Sequence, residues 1–132
     1  MSEIYVSHVN TNDATATRIC FALRDAGIGT WIDHIHSTEL SVEESQEAIQ
    51  HCQAGLFLLS EDSLYSRKCA HEWQAILDQK KPLYVALLET VPTDDLPAPL
   101  WDRKIPYIDL TDDVEHGLVA LVRAIAGTAT RS

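Results

Sequence analysis

Glu72 is the residue whose type and position carry the most chemistry in this sequence. It stands three residues after Cys69 and four before Ile76. At 3.6 residues per turn it therefore shares the apolar face by which its helix must pack on the rest of the molecule. A carboxylate on such a face is partly desolvated, and that environment marks a functional-site candidate. Periodicity equally allows Glu72 to lie at the edge of the stripe, reaching solvent or pairing with Lys68 at i−4. The other polar groups are less specific. Asp33-His34-Ile35-His36 with Glu39 offers metal-ligand residue types without metal-ligand spacing, so it reads as a polar loop and no metal is expected. Ser60, Ser63 and Ser66 lack the G-x-S-x-G context of a nucleophile elbow, and no glycine-rich phosphate loop occurs. Cys69 reads as a small core hydrophobe. Trp31 and Trp73 read as core, although a tryptophan at a strand end can also wall a stacking pocket.

These groups must be positioned by an alternation of strands and helices. Short β-rich runs occur at Ile4–Val6, Ile28–Ile32, Leu56–Leu59, Leu83–Leu88 and Tyr107–Leu110, and helix-period segments separate most of them. That pattern predicts parallel strands joined by right-handed crossovers. Ala16, Ile19, Cys20 and Leu23 make the apolar stripe of the first helix, which Gly27 ends from the left-handed region. Ser41-Val42-Glu43-Glu44 has the form of a capping box and opens a second helix with Ala48, Ile49 and Cys52 inward. A third helix starts near Ser66, turns Cys69, Trp73, Ile76 and Leu77 inward and stops before Pro82. The last, opened by Asp112 and closed by Gly127, packs through Val114, Leu118, Leu121, Val122 and Ile125. Glu89–Ile105, with Pro92, Pro97 and Pro99, is too rich in proline for a crossover helix and allows only a short turn near Pro99–Trp101. The expected fold is an α/β, flavodoxin-like three-layer sandwich: a five-stranded parallel sheet of order 2-1-3-4-5 with helices on both faces. Ligands of such sheets bind beyond the carboxyl ends of the strands, near the switch between strands one and three. Those ends supply Ser7, His8, Asp33, His34, Ser60 and Glu61.

A chain of 132 residues with 45% apolar and 23% charged residues has the composition of one globular domain. The expected domain is 1–127, with 128–132 a frayed end or the start of a linker. Twenty acidic against ten basic residues give a net charge of −10, which repels phosphate backbones and anionic lipid, so neither nucleic acid nor membrane is an expected partner. The apolar run Gly55–Leu59 is far short of the ~20 residues of a membrane span. Met1-Ser2-Glu3 followed by a strand-like run does not have the form of a signal peptide. Cys20, Cys52 and Cys69 without CxxC spacing suit a reducing compartment, so a cytoplasmic location is expected.

Five segments in register resemble the Toll/interleukin-1 receptor (TIR) domain family, in particular its bacterial NAD-cleaving members. Ile4-Tyr5-Val6-Ser7-His8 is similar to the family's first box. Gly27-Ile28-Gly29-Thr30-Trp31-Ile32-Asp33 resembles its second strand leading into the BB loop. Leu56–Ser60, with Ser63 and Ser66–Glu72, resembles the third strand and the start of the following helix; Lys81–Val85 resembles the fourth strand. Thr38-Glu39-Leu40-Ser41 stands where the family often has Pro-Gly, and Arg67-Lys68 where it often has Trp before the Cys. The resemblance implies cleavage of NAD⁺ as substrate at the nicotinamide–ribose bond, with no cofactor and with Glu72 as catalytic carboxylate. It implies Ser7, His8, Trp31, Asp33, Ser66 and Cys69 as substrate-binding residues. It also implies activation by self-association through a loop carrying His36, Glu39 and Leu40, in immune or defence signalling, with an attached sensor or oligomerising module. A non-catalytic TIR adaptor acting by homotypic contacts stays open beside this reading. A receiver domain shares the sheet order but wants an acidic pair after strand one and Asp after strand three, where Ser7-His8 and Ser60 stand. A deoxyribosyltransferase-like enzyme would use a glutamate on a similar sheet without explaining the Trp-x-Asp strand.

Overall fold

A computed structural model describes residues 3–32, 42–102 and 104–129. The strands are β1 Glu3–Ser7, β2 Gly29–Ile32, β3 Cys52–Leu59, β4 Leu83–Leu87 and β5 Tyr107–Asp109. The helices are α1 Asp13–Asp25, α2 Val42–Gln50, α3 Glu61–Leu64, α4 Arg67–Asp78 and α5 Val114–Ala129. All strand pairs are parallel and the order is β2-β1-β3-β4-β5, as the alternation predicts. Between β4 and β5 the described residues make two 3₁₀ turns, Thr93–Asp95 and Ala98–Trp101.

The sheet separates two apolar layers because side chains alternate across a strand. Ile4 and Val6 face a layer with Ile19 and Leu23 of α1 and Leu118, Leu121 and Ile125 of α5. Tyr5 faces the other, with Ile49 of α2, Phe57 and Leu59 of β3, and Cys69, Trp73 and Ile76 of α4. Leu56–Leu59 are all buried, as a central strand covered on both sides requires. At Gly55 the helix comes so close that a Cβ would lie 2.1 Å from Ile76 Cδ1.

Helix ends follow local chemistry. Gly27, at φ 84°, closes α1 with paired bonds from Gly27 N to Arg24 O and from Ile28 N to Leu23 O, both 2.9 Å, which is a Schellman motif. Ile28 is thereby drawn into the turn, so β2 starts at Gly29. The same motif ends α4 with Lys80 at φ 58°, through Lys80 N to Leu77 O and Lys81 N to Ile76 O.

Four expectations are corrected. Cys52 begins β3 instead of closing the inner face of α2, because Lys81 Nζ donates to the carbonyls of Ile49 and Gln50 and stops that helix. The last helix is capped by Asp113, not Asp112: Asp113 Oδ1 accepts from His116 N at 3.1 Å. That helix also runs through Gly127 to Ala129, since glycine inside a helix is unfavourable by only ~1 kcal/mol. Finally, α3 was not expected. Ser60 and Ser63 cap it reciprocally, Ser60 Oγ accepting from Ser63 N and Ser63 Oγ from Ser60 N. The cap expected at Ser41 lies outside the described residues.

Candidate active site

β1 ends at the carboxyl edge of the sheet with Ser7, and two residues earlier Tyr5 points to the same side. Over them lies α4, whose first turn is set by Ser66: its Oγ accepts from Cys69 N at 3.2 Å. This start places Cys69 and, one turn on, Glu72 and Trp73 against the sheet. Glu72 is 2% exposed. Its carboxylate is surrounded by hydroxyls, not by carbon. Tyr5 Oη donates to Oε2 at 2.6 Å, Ser7 Oγ to Oε1 at 2.7 Å and Ser45 Oγ of α2 to Oε2 at 3.3 Å. Lys68 Nζ stands 3.9 Å from Oε2. The i−4 pairing allowed by the sequence is thus present, but on a carboxylate that is inside, not at the stripe's edge. A buried charge persists only when so paired and hydrogen-bonded. Three elements far apart in sequence converge on one acid.

The expected site residues divide in three. Glu72, Ser7 and Cys69 share the interior space between β1 and α4, with Ser66 capping the helix beside them. Trp31 reaches the cluster through Tyr5: the two rings stack with centroids 5.1 Å apart and planes 10° from parallel. That contact follows from the register, which pairs Tyr5 with Trp31. His8 is not brought to Glu72. It is 2% exposed and its Nε2 lies 2.8 Å from Asp13 Oδ1 at the start of α1, because α1 draws it away from the carboxylate. Asp33, His36, Glu39 and Leu40 lie outside the described residues.

Cys69 is wholly buried, and burial first of all pushes its thiol pKa up, against hydrogen bonds with Ser7 and Ser66. It therefore packs as a neutral group. Tyr5 and Ser45 are site residues that sequence reasoning misses. Both had a signal: Tyr5 is two before Ser7 on one strand face, and Ser45 is four before Ile49 on the inner face of its helix. Ser60 and Ser63 serve α3 as caps. No group of three or more His, Cys, Asp or Glu among the described residues is arranged to hold a metal ion. A pocket of about 240 Å³ between the last turn of α4 and the amino end of β4 is lined by Leu77, Lys81, Leu83 and Ile105, among others. None of the expected site residues among the described residues borders it.

The TIR domain family model matches residues 4–122, nearly the whole of this fold. The chain belongs to the TIR domain family. Among solved structures, this TIR domain is similar to the TIR domain of the Toll-related receptor TRR-2 from Hydra magnipapillata. The two share 19% identity over 93% of this chain and 99% of that one, with a TM-score of 0.72. It is also similar to a chain of the RPS4 and RRS1 TIR domain heterodimer, at 15% identity, 97% and 98% coverage and a TM-score of 0.71. The TIR domains of the activated Roq1 resistosome, which directly recognises the effector XopQ, match at 14% identity, 97% and 99% coverage and a TM-score of 0.64. At these identities the likeness is one of fold. A search of curated proteins finds no match. No helix of this TIR domain, among the described residues, is long and apolar enough to cross a membrane.

Proposed function

We propose that this TIR domain is an NAD⁺ glycohydrolase in which Glu72 is the catalytic carboxylate. The observation that supports it is the setting of Glu72: an acid buried at the carboxyl edge of β1 and held on both oxygens by hydroxyl donors. In the reaction the bond between ribose C1′ and the pyridinium nitrogen breaks, and its electron pair returns to the ring as neutral nicotinamide leaves. Little acid catalysis is needed. The ribosyl carbon becomes oxocarbenium-like, and a fixed carboxylate beside it stabilises that charge without reorganising. Capture by water, with loss of a proton, gives ADP-ribose; capture by a nucleophile within the same molecule gives a cyclic product.

Assembly is part of the reading. The RPS4–RRS1 heterodimer and the Roq1 resistosome are assemblies that contain TIR domains. Self-association of this chain, through the loop carrying His36, Glu39 and Leu40, is proposed to complete the wall of the site over Trp31 and Asp33. Signalling in defence, with an attached sensor supplying the trigger, is the context this activity suits. The same burial favours a second reading, a non-catalytic adaptor, because a carboxylate whose hydrogen bonds are met from within can serve structure alone.

The deciding experiment is nicotinamide release from NAD⁺ by the clustered chain, followed by chromatography. Glu72→Gln keeps the size but removes the charge and turns one acceptor oxygen into an amide donor, which a neighbouring hydroxyl can meet by accepting instead of donating. It is expected to lower turnover by a few orders of magnitude, equivalent to ~3–4 kcal/mol of transition-state stabilisation, in a folded protein. A folded variant with near-full turnover would remove Glu72 from the role, and a clustered wild type that releases no nicotinamide would leave the adaptor reading.

A further inference from the structure

The two oxygens of the Glu72 carboxylate are not equivalent. Oε2 accepts from Tyr5 Oη and Ser45 Oγ and has the Lys68 ammonium beside it, whereas Oε1 accepts from Ser7 Oγ alone. A carboxylate oxygen has about two lone-pair directions. Oε2 is therefore filled, and Oε1 keeps one direction for another group. Tyr5 makes the shortest of these bonds and is 1% exposed. Its ring is at the same time the face on which Trp31 stacks.

We infer that Tyr5 is a positioning residue: its hydroxyl locks Glu72 by Oε2 so that Oε1 is the oxygen turned toward the reacting ribose. The inference rests on the NAD⁺-cleaving reading of Glu72. Tyr5 does not itself meet the substrate. It acts by fixing the rotation of the carboxylate about its last bond, a torsion that is otherwise broad, and a reacting group out of place by an ångström loses much of its effect. Because one side chain holds both the carboxylate and the plane of Trp31, removal of the hydroxyl alone separates the two functions.

The test is Tyr5→Phe, which keeps the ring stack and deletes the hydroxyl. Losing a hydrogen bond to a charged group predicts a kcat lower by about tenfold or more, with KM for NAD⁺ within about twofold. Structural packing alone would lower thermal stability and leave kcat per folded molecule unchanged. In the Glu72→Gln background the same change is expected to alter residual turnover less than about twofold, since residues acting through one another are not additive. If Tyr5→Phe does not fold, Ser45→Ala serves in its place, removing the longer bond to the same oxygen, with an expected loss of about threefold in kcat. An active wild type whose folded variant keeps full kcat overturns the positioning role alone, as does an equal loss in both backgrounds. A clustered wild type that releases no nicotinamide overturns the NAD⁺ reading and this inference with it.

Discussion

A buried acid and three buried thiols lie in the same small domain, and their surroundings treat them in opposite ways. The acid is met by donors. The thiols sit in apolar layers where desolvation outweighs the hydroxyl contacts of Cys20 and Cys69, and burial raises all three: Cys52 is pushed up to about 12, and Cys20 and Cys69 also rise. The thiolate is the reactive form, so none of the three is a nucleophile near neutral pH. Cys69→Ser is expected to lower stability by about 1–2 kcal/mol, through a poorer fit in the apolar layer, while turnover per folded molecule stays within about twofold. Denaturant unfolding and nicotinamide release on the same sample check it; stoichiometric inactivation by a thiol reagent at Cys69 in a folded protein would contradict it. Glu72 was legible in the sequence because its own helix reports its face. Its partners Tyr5 and Ser45 were not, because they come from elements 67 and 27 residues away, and one hydroxyl on an apolar face reads like packing until the opposing acid is located.

At the scale of elements, the two Schellman ends of α1 and α4 form a natural comparison. Both need a left-handed residue after the helix. α1 has glycine there, whereas α4 has Lys80 at φ 58°, and a side chain in that region is strained by ~1 kcal/mol. Lys80→Gly is expected to raise stability by about 0.5–1 kcal/mol, a Tm gain of a few degrees for a domain of this size, with turnover unaffected. A thermal melt that falls or does not move would show that the turn is better served by lysine. Starts and stops with a one-residue signature, such as Ser66 and Gly27, were readable from sequence. The end of α2 was not, because the group that closes it, Lys81, lies across the fold and leaves no mark near Gln50. Nor was α3, a single turn that exists because Ser60 and Ser63 bond to one another.

At the scale of the whole molecule, sheet order and layering were legible in full, since strand–helix alternation and short connections leave few parallel topologies. Association between molecules is not written in periodicity in the same way. A charge of −10 repels a second copy in dilute, low-salt solution, and salt weakens that repulsion over about a Debye length. If self-association completes the site, specific activity will rise with enzyme concentration, rise again as salt is increased to about physiological strength, and rise by about tenfold or more when the chains are fused to an oligomerising module. Leu40→Asp is expected to reduce these gains. Activity strictly proportional to concentration, indifferent to clustering and to position 40, would identify the single domain as the complete enzyme.

Gly55 gives the candidate site a second kind of dependence. With no side chain there, α4 settles on β3 until Ile76 occupies the space of the missing Cβ, and Glu72 lies one turn along the same helix. The depth to which the carboxylate reaches Tyr5 and Ser7 is therefore fixed by a residue with no polar atom in the site. In a genetic screen for lost function, position 55 would be recovered beside position 72 and resemble a member of the chemical machinery. Only the amount of folded protein would distinguish the alleles: one removes the reagent, the other raises the shelf on which it stands.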